Sequence, residues 1–173
     1  MTPVKSVPVP RAVTARTPDA VSFAPFGRVL TPHAGPRPDL VVTDGPGWTD
    51  AYTREALVRE NPHLGMTSAP GMPFTSTVME RHANVEEALL PTMSAVVLAV
   101  AGPTGTDAPR AEDVHAFVIA PGTVVVLNRG VWHDACRGLE GPTSYYWLSS
   151  CADAGSSPWT PIAGGPVDVR VAR

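Results

Sequence analysis

Met79-Glu80-Arg81-His82-Ala83-Asn84-Val85-Glu86-Glu87-Ala88-Leu89-Leu90-Pro91 and Gly122-Thr123-Val124-Val125-Val126-Leu127-Asn128-Arg129-Gly130-Val131-Trp132-His133 are the two stretches around which the chain reads. In the first, Glu80 and His82 are alternate residues of a strand and share a face. A short corner at Asn84-Val85 bends the strand and brings Glu87 back to that face. In the second, the run that ends at Leu127 reads as a strand, Asn128-Arg129-Gly130 as a turn, and His133 follows. An antiparallel neighbour sets His133 beside the first group. Two carboxylates and two imidazoles then share one pocket, which makes either a metal site or an acid/base site.

The spacing resembles the two motifs of the cupin superfamily. The first motif there is H-x-H, three or four residues, then Glu; here Glu80 stands for the first His, followed by His82 and, after four residues, Glu87. The second is Gly, five residues, Pro-x-Gly, two residues, His; here it is Gly122, Asn128-Arg129-Gly130 and His133, with Asn in place of Pro. More closely, the chain resembles the ureidoglycolate lyase family within that superfamily. The elements that carry this are Phe23-Ala-Pro-Phe-Gly27-Arg-Val-Leu30, Glu80-Arg81-His82 with Ala88-Leu-Leu-Pro91, Ala116-Phe117-Val-Ile119, and Val131-Trp132-His133. They run in order from about Asp19 to about Tyr146. The family pattern carries Gln where Glu87 stands and a second His or similar polar group where Asp134 stands. It also has an Arg, absent here, in the stretch Leu64–Gly71.

The resemblance implies an all-β, cupin-type antiparallel barrel or jelly roll with a few short helices. It implies cleavage of ureidoglycolate to glyoxylate and urea, a place in purine degradation, and a homodimer. On this reading His133 or Glu87 is the base, and His82 is the other catalytic group. Glu80, His82, Glu87 and His133 are the candidate metal ligands. An imidazole and carboxylate set suits one divalent ion and does not choose among Mn, Fe, Ni and Zn; no organic cofactor is expected. Arg81 points away from the Glu80 and His82 face, so structural pairing competes with substrate binding there. Trp132 alternates away from His133, so packing at the pocket rim or in a subunit contact competes with substrate binding for it. Asn128 and Tyr146 complete the candidate substrate-binding set, and Tyr145 and Trp147 are further pocket-lining candidates. Two alternatives stay open: a metal cupin acting on another small acid as lyase or isomerase, and a non-catalytic small-molecule-binding cupin.

Length and composition frame these readings. The 173 residues suit one domain with a real core, and 43% hydrophobic residues suit a soluble globular protein. A net charge of −3 without a Lys/Arg cluster argues against a nucleic-acid surface. No run approaches the length of a membrane span. Cys136 and Cys151 are the only cysteines, too few for a disulfide framework, and the expected compartment is the cytoplasm. The 20 prolines and 15 glycines are scattered, and so punctuate short strands.

Residues 1–16 read as an extended N-terminal arm and 17–173 as a single cupin-like domain. Thr17-Pro18-Asp19 reads as the start of a short helix through Phe23. Trp48–Arg59 is either a strand or a short helix. Strands are expected at Arg28–Leu30, Gly65–Ser68, Phe74–His82, Ala88–Leu90, Ala95–Ala101, Val114–Ile119, Thr123–Leu127 and Thr143–Leu148. A single helical turn is expected at Ala111–Asp113, a linker at Ala154–Gly165, and an edge strand or arm at Pro166–Arg173. His33 and His63 read as solvated loop residues, Glu86 as a solvated turn charge, and Cys136 as a small buried hydrophobe.

Overall fold

The computed structural model describes residues 10–35, 37–59, 61–103, 105–150 and 159–172. Cys151, most of the N-terminal arm and the first part of the expected Ala154–Gly165 linker lie outside the described residues. The strands are β1 (Arg11–Ala15), β2 (Gly27–Leu30), β3 (Leu40–Gly45), β4 (Trp48–Thr53), β5 (His63–Ala69), β6 (Phe74–Ser76), β7 (Val78–Arg81) and β8 (Glu87–Pro91). They continue as β9 (Val96–Ala101), β10 (Val114–Ile119), β11 (Val124–Leu127), β12 (Trp132–His133), β13 (Arg137–Gly138), β14 (Thr143–Ser149), β15 (Thr160–Pro161) and β16 (Val167–Val171). Two 3₁₀ turns, Pro32–Ala34 and Ala111–Asp113, are the helical elements among the described residues. The fold is all-β and cupin-like.

One sheet has the order β10-β9-β12-β7-β15, with β13 also on β9; a second has the order β2-β11-β8-β14-β5. Every pairing within these two sheets is antiparallel. A third layer, β1-β16-β6, covers the outer face of the first sheet, and β3-β4 form a separate hairpin.

The sequence of β9, Val-Val-Leu-Ala-Val-Ala, explains the layering. All six residues are buried, and alternation divides them between two cores. Val96, Leu98 and Val100 point between the two large sheets, where they meet Leu89, Val125, Leu127, Phe117 and Tyr145. The smaller Val97, Ala99 and Ala101 point the other way, to Ala15, Val167 and Val169 of the third layer. Small side chains on that face let the third layer lie close.

Phe23, Phe26 and Phe117 close one end of the inner core in edge-to-face contact, with Phe117 5.0 Å from Phe23 and 5.7 Å from Phe26. The expected helix at Asp19–Phe23 is instead a chain of turns. Asp19 Oδ1 accepts from the N–H groups of Val21 and Ser22, and Pro25 has no N–H with which to extend a helical ladder. Gly27 follows with a φ of +155°, and a Cβ there would sit 1.8 Å from the Val126 carbonyl oxygen, so only glycine lets β2 pair with β11.

The open reading of Trp48–Arg59 resolves as a strand over Trp48–Thr53, and two further expectations change. Phe74–His82 is two strands, because the chain passes from the third layer to the first sheet near Thr77. Arg11–Ala15 is a strand running parallel to β16.

Phe117→Ala removes the ring that both other phenylalanines touch. It is expected to cost about 3–5 kcal/mol, read as a lower urea midpoint with an unchanged slope.

Candidate active site

β7 and β12 pair over only two residues: Trp132 opposite Arg81, and His133 opposite Glu80. Directly opposed residues share a face, so this short ladder sorts four side chains at once. His133 also stands opposite Val100, whose side chain belongs to the inner core, so His133 and Glu80 face inward. Trp132 stands opposite Ala101 and faces the third layer with Arg81.

Glu87 arrives from the other sheet. It opens β8 opposite Leu127 and Ser149, on the inward face. The chain between His82 and Glu87 therefore crosses from one sheet to the other, where the sequence suggested one bent strand. The turn at Asn128–Gly130 is held to this crossing by the Gly130 N–H, which donates to the His82 carbonyl at 2.8 Å.

These elements bring together all four residues expected to carry chemistry. His133 Nε2 is 3.0 Å from Glu87 Oε2, His82 Nε2 is 3.2 Å from the same oxygen, and His133 Nε2 is 3.7 Å from Glu80 Oε1. Donor atoms of Glu80, His82 and His133 all lie within 4.8 Å of one another. Both His–Glu87 contacts have ion-pair distances without hydrogen-bond alignment, so the buried Oε2 has no aligned donor. That is an arrangement of donors around a shared centre of positive charge, either a proton or a cation.

Burial makes the charge on Glu87 costly, yet His133 and then His82 outweigh it and hold the carboxyl at about 2. Burial disfavours the imidazolium of His133, and Glu87, followed by Glu80, overcomes it, so its pKa is raised. The pocket thus favours a carboxylate at Glu87 and a proton on His133. Around them lie groups with no such activation. Burial pushes the thiol of Cys136 and the phenol of Tyr145 well up, and the Cys136 N–H donates to the Tyr145 hydroxyl.

The other expected binding residues do not join this pocket. The Arg81 guanidinium stacks on Trp132, 4.5 Å from the ring centroid, and faces Asp107 at 3.6 Å. Both sit on the opposite face of the ladder for the reason given by alternation. Tyr146 is exposed, opposite Leu90 and Met66 on the outer face, while its neighbours Tyr145 and Trp147 face inward. Asn128 is exposed in its turn, its N–H donating to the Phe26 carbonyl.

Two residues lie where the sequence reading did not put them. His63 opens β5 and is in line with Ser149 and Glu87 across three strands, so it is an exposed residue on the inward side of an edge strand. The alternation that would have shown it begins two residues before the expected strand. Glu86 is ion-paired with Arg28 at 2.7 Å. It borders an open cleft of about 560 Å³ on the outer side of β2 and β8, separated from Glu87 by the sheet.

The family model for ureidoglycolate lyase matches residues 10–157. A ureidoglycolate lyase of Azotobacter vinelandii is 33% identical over 125 residues, covering 68% of this chain and 72% of its own. One from Pseudomonas savastanoi pv. phaseolicola is 32% identical over 133 residues, covering 69% and 71%. One from Mesorhizobium japonicum is 27% identical over 144 residues, covering 77% and 82%.

The placement of Arg81 is testable. Arg81→Ala should lower the melting temperature through loss of about 0.5–2 kcal/mol of cation–π attraction. The ring resonances of His82 and His133 should stay in place. Displaced ring resonances with unchanged stability would put Arg81 at the pocket instead.

Proposed function

The chain belongs to the ureidoglycolate lyase family, and from that premise we propose that it cleaves ureidoglycolate, a carbinol carrying a urea nitrogen, to glyoxylate and urea. The observation that supports this reading is the convergence of Glu80, His82, Glu87 and His133 on one partly buried point. The reaction asks little of a protein. One group takes the carbinol proton as the carbonyl forms, and another protonates the urea nitrogen as the C–N bond breaks.

The electrostatics divide these tasks. His133 holds a proton at Nε2 because two carboxylates face it, so it is the acid that protonates the leaving nitrogen. Glu80 is the more exposed of the two carboxylates, and its Oε1 takes the carbinol proton. The Glu80–His133 contact then returns that proton to Nε2 and resets the site. Glu87 supplies the charge that balances the imidazolium, and His82 completes the polar wall.

The same donors suit a divalent first-row ion, two imidazoles with carboxylate oxygens being an ordinary set for one. Glu80, His82 and His133 would hold it with Glu87 alongside; when bound, it supplies positive charge to the oxygen that becomes the carbonyl. A ring nitrogen cannot carry a proton and a metal together, so the two readings differ at His133 Nε2. We propose a homodimer as the chain's assembly. In its support, Leu64, Met66 and Tyr146 form an exposed apolar face on β5 and β14 that a second copy would cover. Among the described residues no helix is long and apolar enough to cross a membrane, and the cytoplasm is the proposed compartment.

The test is urea release by the purified protein, assayed with and without chelator. Wild type is expected to release urea, and His133→Ala to be slower by about 10²–10⁴-fold. Glu87→Gln should keep measurable release, because the swap conserves volume and the family pattern carries Gln at this position. Activity that vanishes with chelator and returns with metal would assign the metal-assisted form. A well-folded wild type that releases no urea would overturn the reading.

A further inference from the structure

The ladder that sets His133 beside Glu80 is two residues long, and that is short for a ligand or acid that must be held precisely. Beyond it the partners separate. β7 leads back toward β6 in the third layer, whereas β12 ends at His133. At this fork stands Asp134, a buried carboxylate that the chemistry above does not use.

Its surroundings are fully built. Asp134 Oδ2 accepts from the hydroxyl of Ser76, itself wholly buried, at 2.8 Å. Its Oδ1 lies 3.7 Å from Arg137 Nη2. Arg137 is pinned in turn, stacked on Phe74 of β6 at 5.0 Å and donating to the carbonyls of Ala135 and Cys136 at 2.8 and 3.2 Å. The Asp134 N–H donates to Ala99 on β9. One residue after His133 the backbone is thus fixed to β9, and the side chain is fixed to the last residue of β6, which precedes the strand bearing Glu80.

We infer that Asp134 is a positioning residue for the reaction: its bond to Ser76, supported by Arg137, takes over where the β7–β12 ladder stops and fixes His133 against Glu80. This rests on the functional reading above, since it concerns where His133 is held. Burying a carboxylate costs stability that an apolar pair would not, and a bridge across the fork is what that carboxylate provides here.

The experiment compares Asp134→Ala, Asp134→Asn, Ser76→Ala and the Asp134→Ala/Ser76→Ala double variant for urea release, melting temperature and the His133 ring resonances. Supporting residues around reactive groups typically contribute about 10–100-fold. We expect Asp134→Ala to lower kcat by that factor with KM within about twofold, and to shift the His133 ring resonances. Asp134→Asn should recover most of the loss, because its side-chain oxygen still accepts from Ser76. Ser76→Ala should lower kcat in the same direction, and the double variant should be no worse than Asp134→Ala.

A folded Asp134→Ala with a lower melting temperature but wild-type kcat and unmoved His133 resonances would reduce the network to a structural role and overturn the inference. So would an additive double variant. If Asp134→Ala does not fold, Ser76→Ala decides by the same two readouts. If wild type releases no urea, the functional reading fails, while the resonances still decide whether Asp134 places His133.

Discussion

Two residue pairs, His133 with Glu80 and Trp132 with Arg81, are the constraint on which the rest depends. In an antiparallel ladder opposed side chains share a face, and successive ones alternate. One short pairing therefore sends an acid and an imidazole inward and an aromatic ring with its guanidinium outward. A one-residue slip of β7 would turn Arg81 into the pocket, and one of β12 would turn His133 against the third layer. The Arg81–Trp132 stack and the Asp134–Ser76 bond both oppose such a slip, so packing on the outer face fixes chemistry on the inner one.

The second requirement is that two sheets meet at the site. Glu80, His82 and His133 come from one sheet or its end, and Glu87 comes from the other. A carboxylate so placed is buried by the sandwich and would be costly alone. It is tolerated because two imidazoles face it, which is also what lowers its pKa and raises that of His133. The same burial leaves Cys136 and Tyr145 protonated and inert, so among the described residues the activated cluster lies beside a largely apolar inner core.

Much of this was legible in the sequence, for identifiable reasons. Val/Ala alternation and turn residues marked most strands, and Glu80-x-His82, Glu87 and His133 announced their convergence by spacing. Alternation also warned that Arg81 and Trp132 would face away, and they do. What was not legible depends on tertiary partners. The crossing at Ala83–Glu86 looks like a bend until the second sheet exists to receive Glu87. Tyr145 and Tyr146 are adjacent aromatics, and only the register against Pro91 and Leu90 says which is inside. Thr17-Pro18-Asp19 carries a good helix start, but Pro25 and the packing of Phe23 and Phe26 on Phe117 turn the chain before a helix forms. Asp134 gives no sign by itself, because its partner Ser76 lies 58 residues away.

The central claim is that the carboxylates of Glu87 and Glu80 hold a proton on His133 for transfer. The most direct measurement is an NMR titration of the His133 ring in metal-stripped protein, repeated in Glu87→Gln. The account predicts an imidazolium that persists above the ordinary histidine value of about 6.5, and a titration that moves down when Glu87 loses its charge. A His133 ring that titrates at or below that value, and does not respond to Glu87→Gln, would contradict it.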